Sequence, residues 1–213
     1  MIAQKIHQFT QELPAEVTLI AVSKTKPNSD LLAAYEAGQL DFGENKVQEL
    51  CRKAEELPKG IRWHMIGHLQ RNKVKYIAPF VHLIHGVDSE RLLREINKQG
   101  AKNHKIIDVL IQLHIAEESS KFGFSFDEAE ELLTRTDEFS HVHILGCMGM
   151  ATFTENKSQI QREFEGLAAF YHKWKSKKSF KVLSMGMSND YHIAIDAGTT
   201  MIRVGSLIFG SRN

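Results

Sequence analysis

Residues 17–37 read VTLIAVSKTKPNSDLLAAYEA, a short apolar run that stops near a proline and continues with a helical pattern. The apolar run predicts a buried strand over 17–23, and the segment after the proline predicts a helix over 28–37. This order of strand and helix repeats along the chain. Such repeats form parallel strands joined by helices, because each crossover packs its helix against the outside of the sheet.

Eight strands are predicted. They cover Val17–Ser23, Leu40–Gly43, Trp63–Gly67, Val81–Val87, Ile106–Ile115, Val142–Met148, Phe180–Met185 and Thr200–Gly205. The helices between them cover Asn28–Ala37, Asn45–Glu56, Asn72–Ala78, Ser89–Gln99, Phe126–Arg135, Asn156–Lys175 and Asp190–Asp196, with Ser89 and Asp127 as predicted N-caps. We therefore expect an α/β fold in one domain, residues 1–213, as a closed (β/α)8 TIM barrel. An open flavodoxin-like sheet is the alternative, and it requires about two or three of these strands to be wrong.

The composition is that of an ordinary globular protein of 213 residues, 42% of them hydrophobic and 25% charged. A net charge of +1 produces no field that favours nucleic acid or an anionic membrane as a partner. Residues 1–11 lack the apolar core of a secretory signal, and no apolar run is as long as a membrane span. Cys51 and Cys147 fit the reduced thiols of a cytoplasmic protein, although they could also form one disulfide.

The carboxyl ends of the strands carry reactive side chains, and both candidate folds bind ligands at that edge. Lys24 follows strand one, where an amine beside an apolar sheet can lose its proton and attack a carbonyl carbon. Ser188 and Gly205-Ser206 follow the last two strands, where backbone N–H groups and hydroxyls suit a phosphate dianion. Arg203 lies two residues before Gly205 on the same strand. Its side chain should therefore be on the same face of the sheet as Gly205 and point toward the same site.

Each of these features also has an ordinary explanation. A strand-end lysine usually extends into water, serine and glycine turns usually cap helices, and a strand arginine usually pairs with a neighbouring carboxylate. The combination is more specific, because an amine, a cation and a phosphate-binding turn together describe a site for an aldehyde that carries a phosphate.

Several blocks of sequence resemble the pyridoxal phosphate homeostasis proteins, which share a barrel with the amino-terminal domain of alanine racemase. The resemblance extends over nearly the whole chain. The blocks are Ala21–Pro27, Phe42–Glu49, Trp63–Lys73, Ser119–Gly123, Gly146–Met150, Ser184–Asp190, Arg203–Ser206 and Ile208–Gly210. The resemblance implies a barrel of fold type III with an extra amino-terminal helix, and pyridoxal 5′-phosphate (PLP) as the cofactor.

The resemblance also implies a role for each residue of the predicted site. Lys24 forms the Schiff base with PLP, and Arg203 faces the pyridine nitrogen. The remaining implied contacts are Ser188, Gly205 and Ser206 at the phosphate, Ser184 as a second-tier phosphate ligand, and Asn45 near the ring. Lys26 and Lys121 are candidates for secondary aldehyde capture, although a solvated lysine is the simpler interpretation of both.

The expected function is PLP carriage. An arginine beside the pyridine nitrogen disfavours its protonation and makes the ring a weaker stabiliser of carbanions. In alanine racemases the second acid/base is a tyrosine from a carboxyl-terminal β domain of the partner subunit. The sequence ends at Asn213 just after strand eight, and none of its tyrosines (Tyr35, Tyr76, Tyr171 and Tyr191) is an evident replacement.

We therefore expect a monomeric PLP-binding protein that acts in PLP homeostasis and passes the cofactor to apo-enzymes, rather than an efficient enzyme. A PLP-dependent amino-acid racemase of low activity is one alternative, and a barrel enzyme for another phosphorylated carbonyl is a second. The eleven histidines show no metal-binding motif. His64 and His68 are four residues apart without the glutamate of an HExxH motif, so we expect no metal site.

Overall fold

The structure, a computed structural model, describes residues 1–118, 122–178 and 180–210. Within these residues, eight parallel strands close into a barrel in chain order. They are β1 Thr18–Val22, β2 Asp41–Glu44, β3 Arg62–Met65, β4 Leu83–Val87, β5 Ile107–Gln112, β6 Val142–Met148, β7 Val182–Met187 and β8 Met201–Val204. The ring closes where β1 pairs with β8, with Ile20 opposite Arg203. The prediction of a closed (β/α)8 barrel is confirmed, and the open sheet is excluded.

Helices connect the strands on the outside of the barrel. They are α1 Ile2–Glu12, α2 Asn28–Glu36, α3 Val47–Glu56, α4 Val74–Ile77, α5 Glu90–Lys102, α6 Phe126–Thr134, α7 Lys157–Lys178, α8 Tyr191–Asp196 and α9 Ser206–Phe209. Helix α1 is the predicted extra amino-terminal helix. The short α9 and the 3-10 turn Thr136–Glu138 are absent from the sequence prediction, and a second 3-10 turn, Arg71–Lys73, forms the first part of the predicted helix Asn72–Ala78. No helix of the described chain is both long and apolar enough to cross a membrane.

Among the boundaries that differ from the prediction, those at β5 and α6 have a visible local cause. Strand β5 ends at Gln112 rather than Ile115, because Leu113 bridges to Phe124 and the chain beyond it hydrogen-bonds to that loop. Helix α6 is capped by Ser125, not by Asp127. The Ser125 hydroxyl accepts from the Glu128 backbone N–H, and the Glu128 carboxylate accepts from the Ser125 N–H in return, which completes a capping box.

The main hydrophobic core fills the space between the strands and the helices. A second, smaller cluster lies inside the barrel and consists of Ile20, Leu83, Leu110, Met148 and Met201. Register pairs place polar side chains on the same inner face. His64 lies opposite Leu83, and Ser184 lies opposite Met201. The barrel interior is therefore part apolar and part polar, and its polar part extends to the carboxyl ends of the strands.

Candidate functional site

A cavity of about 480 Å³ opens at the carboxyl ends of the strands. Its volume is within the range of small-molecule sites, and its position is the usual ligand edge of a parallel barrel. The predicted residues that line it are Lys24, Asn45, Ser188, Arg203, Gly205 and Ser206. Six residues from four different parts of the chain thus meet at one cavity.

Lys24 lies in the turn that follows β1, and the turn is strained. Thr25 has φ +64°, a left-handed conformation that is uncommon for a residue with a side chain. The Thr25 backbone N–H donates to Glu49 Oε1 at 2.7 Å, and the Lys26 N–H donates back to the Ser23 carbonyl at 3.0 Å. These contacts stabilise the strained turn and so determine where Lys24 enters the cavity.

A buried lysine on helix α3 stabilises this turn through hydrogen bonds. Lys53 Nζ on α3 donates at 2.8 Å to the Ser23 carbonyl, to Glu44 Oε1 and to Glu49 Oε1. Ser23 Oγ donates to the same Glu44 oxygen at 2.6 Å. Burial raises the pKa of the Glu44 carboxyl, while the hydrogen bonds from Lys53 and Ser23 act in the opposite direction. The sequence analysis missed Lys53, although its place on the apolar face of α3 is a usable signal.

The opposite side of the cavity offers hydrogen-bond donors for an anion. The Gly205 backbone N–H donates to Ser188 Oγ at 3.3 Å, so the turns after β7 and β8 are in contact. A Cβ at Gly205 would lie 3.0 Å from the Val22 carbonyl oxygen, which is why the backbone can approach so closely there. The hydroxyls of Ser188 and Ser206 and the backbone at Gly205 fit a phosphate group.

Arg203 forms part of the cavity floor as a buried cation. Only 4% of the residue is exposed, and its guanidinium donates from Nη1 to Ser184 Oγ at 2.5 Å and from Nη2 to the Gly149 carbonyl at 3.2 Å. Burial lowers the pKa of Arg203 to about 10, which still leaves it charged at neutral pH. The Asp190 carboxylate, which also lines the cavity, acts in the opposite direction to burial and favours the charged form of Arg203.

Ser184 is placed differently from the other predicted residues. It is fully buried in the middle of β7, beneath Arg203, and it is not among the described residues that line the cavity. Its hydroxyl contacts the Arg203 guanidinium and lies 3.2 Å from His85 Nδ1. Its geometry suits the support of Arg203 rather than contact with a phosphate.

Polar contacts continue from Ser184 through the barrel interior. His85 Nε2 lies 3.0 Å from His64 Nδ1, and His64 Nε2 lies 2.9 Å from Asp41 Oδ1. At the far end, Arg62 forms two hydrogen bonds to Asp41, of 2.7 and 2.5 Å. Burial lowers the pKa of both His64 and His85, so the two imidazoles are neutral near pH 7. Neither histidine was predicted as part of a site.

The amino-terminal end of the barrel also gathers three possible metal ligands. Asp41, His64 and His82 each place one ligand atom within 4.8 Å of the others. The sequence spacing matches no metal-binding motif, and the three residues meet because β2, β3 and β4 are neighbours in the sheet. The Arg62 guanidinium binds both oxygens of Asp41, so a cation already neutralises this carboxylate.

Two further lysines were singled out by sequence. Lys26 lines the cavity, and its Nζ donates to the Phe209 carbonyl at 3.0 Å, which connects the β1 turn to α9. Lys121 lies outside the described residues. The sequence analysis also missed the apolar part of the lining, which includes Val22, Ile66, Met150, Phe153, Ile160 and Met187.

Comparison with known proteins identifies the family of this chain. The family described as "Alanine racemase, N-terminal domain" matches residues 1–213. A relative from Aquifex aeolicus, named "Pyridoxal phosphate homeostasis protein", is 38% identical over 91% of this chain and 86% of its own length. A relative of the same name from Escherichia coli K12 is also 38% identical, over 94% of this chain and 88% of its own length.

Solved structures of similar fold include proteins of the same family. PipY of Synechococcus elongatus PCC7942 without PLP has a TM-score of 0.94 at 32% identity, covering 99% of this chain and 100% of that one. The PipY structure with PLP bound has a TM-score of 0.91 at 31% identity, with the same coverage. Alanine racemase from E. faecalis, at 16% identity and a TM-score of 0.74 over 58% of its chain, shares the fold. The chain belongs to the pyridoxal phosphate homeostasis proteins, whose barrel is that of the alanine racemase amino-terminal domain.

Proposed function

We propose that this protein binds PLP in the cavity at the carboxyl ends of the strands and acts in PLP homeostasis rather than as an efficient enzyme. The observation that carries the proposal is the meeting of Lys24, Arg203 and the Ser188–Gly205–Ser206 turns at one cavity. PLP supplies a reactive aldehyde, a pyridine nitrogen and a phosphate, and each of these three groups has a matching partner in the lining.

The residues around the cavity have separable roles. Lys24 would supply the amine for a Schiff base with the aldehyde of PLP, in which the aldehyde oxygen leaves as water, and Asn45 would lie beside the ring. The phosphate accepts hydrogen bonds from the hydroxyls of Ser188 and Ser206 and from the backbone at Gly205. Because Gly205 has no side chain, the phosphate can approach the main chain at the end of β8.

Arg203 determines the electronic character of the site. Its guanidinium stays charged at neutral pH and would disfavour a proton on the pyridine nitrogen of PLP through like-charge repulsion. PLP with an unprotonated nitrogen is a weaker electron sink. The site therefore favours storage of the cofactor over carbanion chemistry, and Ser184 contributes by accepting a hydrogen bond from Arg203.

The composition of the cavity also favours carriage over racemisation. Racemisation needs acid/base groups on both faces of the α-carbon. The described lining contains no tyrosine, histidine or cysteine, and its titratable groups besides Lys24 and Arg203 are Lys26, whose amine donates to the Phe209 carbonyl, and Asp190, whose carboxylate accepts from the Met187 N–H. Tyr171 and Tyr191 are buried in the core between the barrel and its helices, so neither is available to a substrate in the cavity.

The proposal also covers the oligomeric state of the protein and its location in the cell. Residues 1–213 act as one PLP-binding domain and as a monomer, because one chain supplies every proposed contact and the closed barrel leaves no unpaired sheet edge. Both cysteines are free thiols, which suits the reducing cytoplasm. The open cavity is accessible for transfer of PLP to apo-enzymes. Light scattering and a transfer assay with an apo-enzyme test these points.

A PLP titration followed by absorption spectroscopy tests the function. The wild type is expected to develop a yellow absorption band and to bind PLP tightly. Lys24→Ala should lose the band and most of the affinity, whereas Lys59→Ala, at an exposed lysine away from the cavity, should retain both. Unchanged PLP affinity in Lys24→Ala would remove Lys24 from the site. Tighter binding of a sugar phosphate than of PLP would indicate a barrel enzyme that acts on another phosphorylated carbonyl compound.

A further inference from the structure

A continuous line of polar side chains crosses the barrel interior from its amino end to the cavity floor. Five strands contribute to it: Asp41 from β2, His64 from β3, His85 from β4, Ser184 from β7 and Arg203 from β8. Each neighbouring pair lies between 2.5 and 3.2 Å apart. The residues are almost completely buried, so the protein itself must satisfy their hydrogen bonds.

The chemistry of the two ends determines the direction of every hydrogen bond. A guanidinium can only donate, so Ser184 Oγ accepts from Arg203 and its own hydrogen is available to His85 Nδ1. His85 Nδ1 then accepts, and the proton of the neutral ring resides on Nε2. That N–H donates to His64 Nδ1, whose proton is likewise on Nε2 and is donated to Asp41.

The carboxylate of Asp41, at the opposite end, fixes this direction for neutral rings. An ionised carboxylate can only accept, so His64 must present Nε2–H to Asp41 and must accept at Nδ1. Burial alone would raise the pKa of Asp41, but the hydrogen bonds from His64 and Arg62 lower it to about 2 and keep the carboxylate ionised. A cation at one end and an anion at the other thus require one tautomer of each histidine.

A chain with this direction stabilises the buried charge of Arg203. In each group the electronegative atom faces Arg203 and the hydrogen faces Asp41, so the aligned dipoles favour a cation at one end and an anion at the other. A proton added to His85 would remove the acceptor of the Ser184 hydroxyl and place a second cation near Arg203. The chain therefore requires both histidines to remain neutral.

We propose that Asp41, His64, His85 and Ser184 form a one-directional hydrogen-bond chain that orients Arg203 toward the bound cofactor, with His85 as the key positioning residue. The role of Arg203 toward PLP rests on the function proposed above, whereas the direction of the chain does not. The two parts are therefore tested by different measurements.

The first measurement is the nitrogen-15 NMR shift of the His64 and His85 rings in ligand-free protein at neutral pH. Both rings are expected to carry their proton on Nε2 and to have an unprotonated Nδ1. In Ser184→Ala, the nitrogen-15 shift of His85 Nδ1 should move toward the value of a ring nitrogen that accepts no hydrogen bond. The nitrogen-15 shifts of the His143 ring should not change. A proton on Nδ1 of either ring, or a charged ring, would overturn the proposal.

The second measurement is PLP affinity in His85→Phe and His85→Gln. Phenylalanine fills the space but cannot accept from Ser184, and the loss of a buried hydrogen-bond partner should weaken PLP binding about tenfold. Glutamine has an acceptor and a donor and should recover part of this loss. His143→Phe is the control, because His143 is a strand histidine paired with Asp108 at the surface.

The two measurements separate the possible failures. If folded His85→Phe binds PLP as tightly as the wild type, with an unchanged absorption spectrum, His85 does not position Arg203. If the wild type itself does not bind PLP, the proposed function fails, and the tautomers alone decide whether the directed chain exists. If His85→Phe does not fold, His85→Gln and the NMR shifts of the wild type decide the proposal.

Discussion

Lys53 Nζ donates a 2.8 Å hydrogen bond to the backbone carbonyl of Ser23, the residue immediately before Lys24. Lys53 is fully buried, and it also pairs with the carboxylates of Glu44 and Glu49. The position of the proposed PLP-binding lysine thus depends on a second lysine below it, which never reaches the cavity.

Lys53→Met should therefore affect both stability and binding. Methionine fills similar space but leaves Glu44 buried without its cation, which should cost about 3–5 kcal/mol of the free energy of unfolding. PLP affinity should also fall, because the strained turn at Thr25 loses its support. Urea denaturation and PLP titration measure the two effects.

The double variant Lys53→Met/Glu44→Gln is the matched control for this prediction. It removes the unpaired charge together with its partner, so it should recover a large part of the lost stability. PLP affinity should stay reduced, since the Ser23 carbonyl still lacks its donor. A Lys53→Met variant as stable as the wild type would contradict the structural role of Lys53.

The phosphate contacts predict a specific change in ligand preference. Ser206→Ala should weaken PLP binding by about tenfold or more, because a hydrogen bond to a charged group contributes about 1.5–3 kcal/mol. Affinity for pyridoxal, which has no phosphate, should hardly change. Titration of both ligands measures the ratio, with Ser158→Ala on the exposed face of α7 as the control. Equal losses for PLP and pyridoxal would place Ser206 away from the phosphate.

Two glycines with different surroundings provide a matched pair of substitutions. Gly205→Ala should weaken PLP binding, because the added Cβ would lie 3.0 Å from the Val22 carbonyl and displace the backbone at the cavity. Gly166 in α7 has nothing within 4 Å of the position of a Cβ. Gly166→Ala should raise the free energy of unfolding by about 0.5–1 kcal/mol and leave PLP affinity unchanged. Intact affinity in Gly205→Ala would argue against a phosphate at that turn.

The buried histidines predict how stability depends on pH. The pKa values of His64 and His85 lie below the ordinary 6.5, since burial disfavours the charged ring. The unfolded chain therefore binds more protons below pH 6.5, so stability is complete above that pH and decreases as the pH falls. His85 faces His64, Ser184 and Arg203, and His64 also faces Asp41 and His82.

Comparison with His85→Phe isolates this contribution. Between about pH 7.5 and pH 5 the wild type should lose about 1 kcal/mol or more of unfolding free energy relative to the variant. Asp41 does not interfere, because its pKa of about 2 against an ordinary 3.8 restricts its effect to more acidic solutions. Urea denaturation at several pH values provides the data, and parallel curves for the two proteins would show that His85 is not held neutral by the fold.

Much of the fold could be predicted because its signals are local. Apolar runs, turn residues and helical periods identify each strand and helix within a few residues. The carboxyl-end rule for parallel strands then selects Lys24, Ser188 and Gly205 as neighbours without any three-dimensional information. The structure brings these residues together at one cavity.

The rest depends on contacts between residues that are distant in sequence. His85 and Ser184 are 99 positions apart, and only closure of the barrel brings them into contact. The family resemblance implied Ser184 as a second-tier phosphate ligand, and the predicted end of strand seven at Met185 is consistent with a place near the cavity. Strand β7 instead continues to Met187, which leaves Ser184 in the middle of the strand. A shift of two residues along one strand accounts for that difference.

The most direct test of the account is borohydride reduction of the protein with bound PLP, followed by peptide mapping with mass spectrometry. Reduction makes the bond between PLP and its lysine permanent, so the modified residue can be identified. The account predicts one pyridoxyl group per chain, on Lys24. Modification of Lys26 in place of Lys24, or a label distributed over the surface lysines, would contradict it.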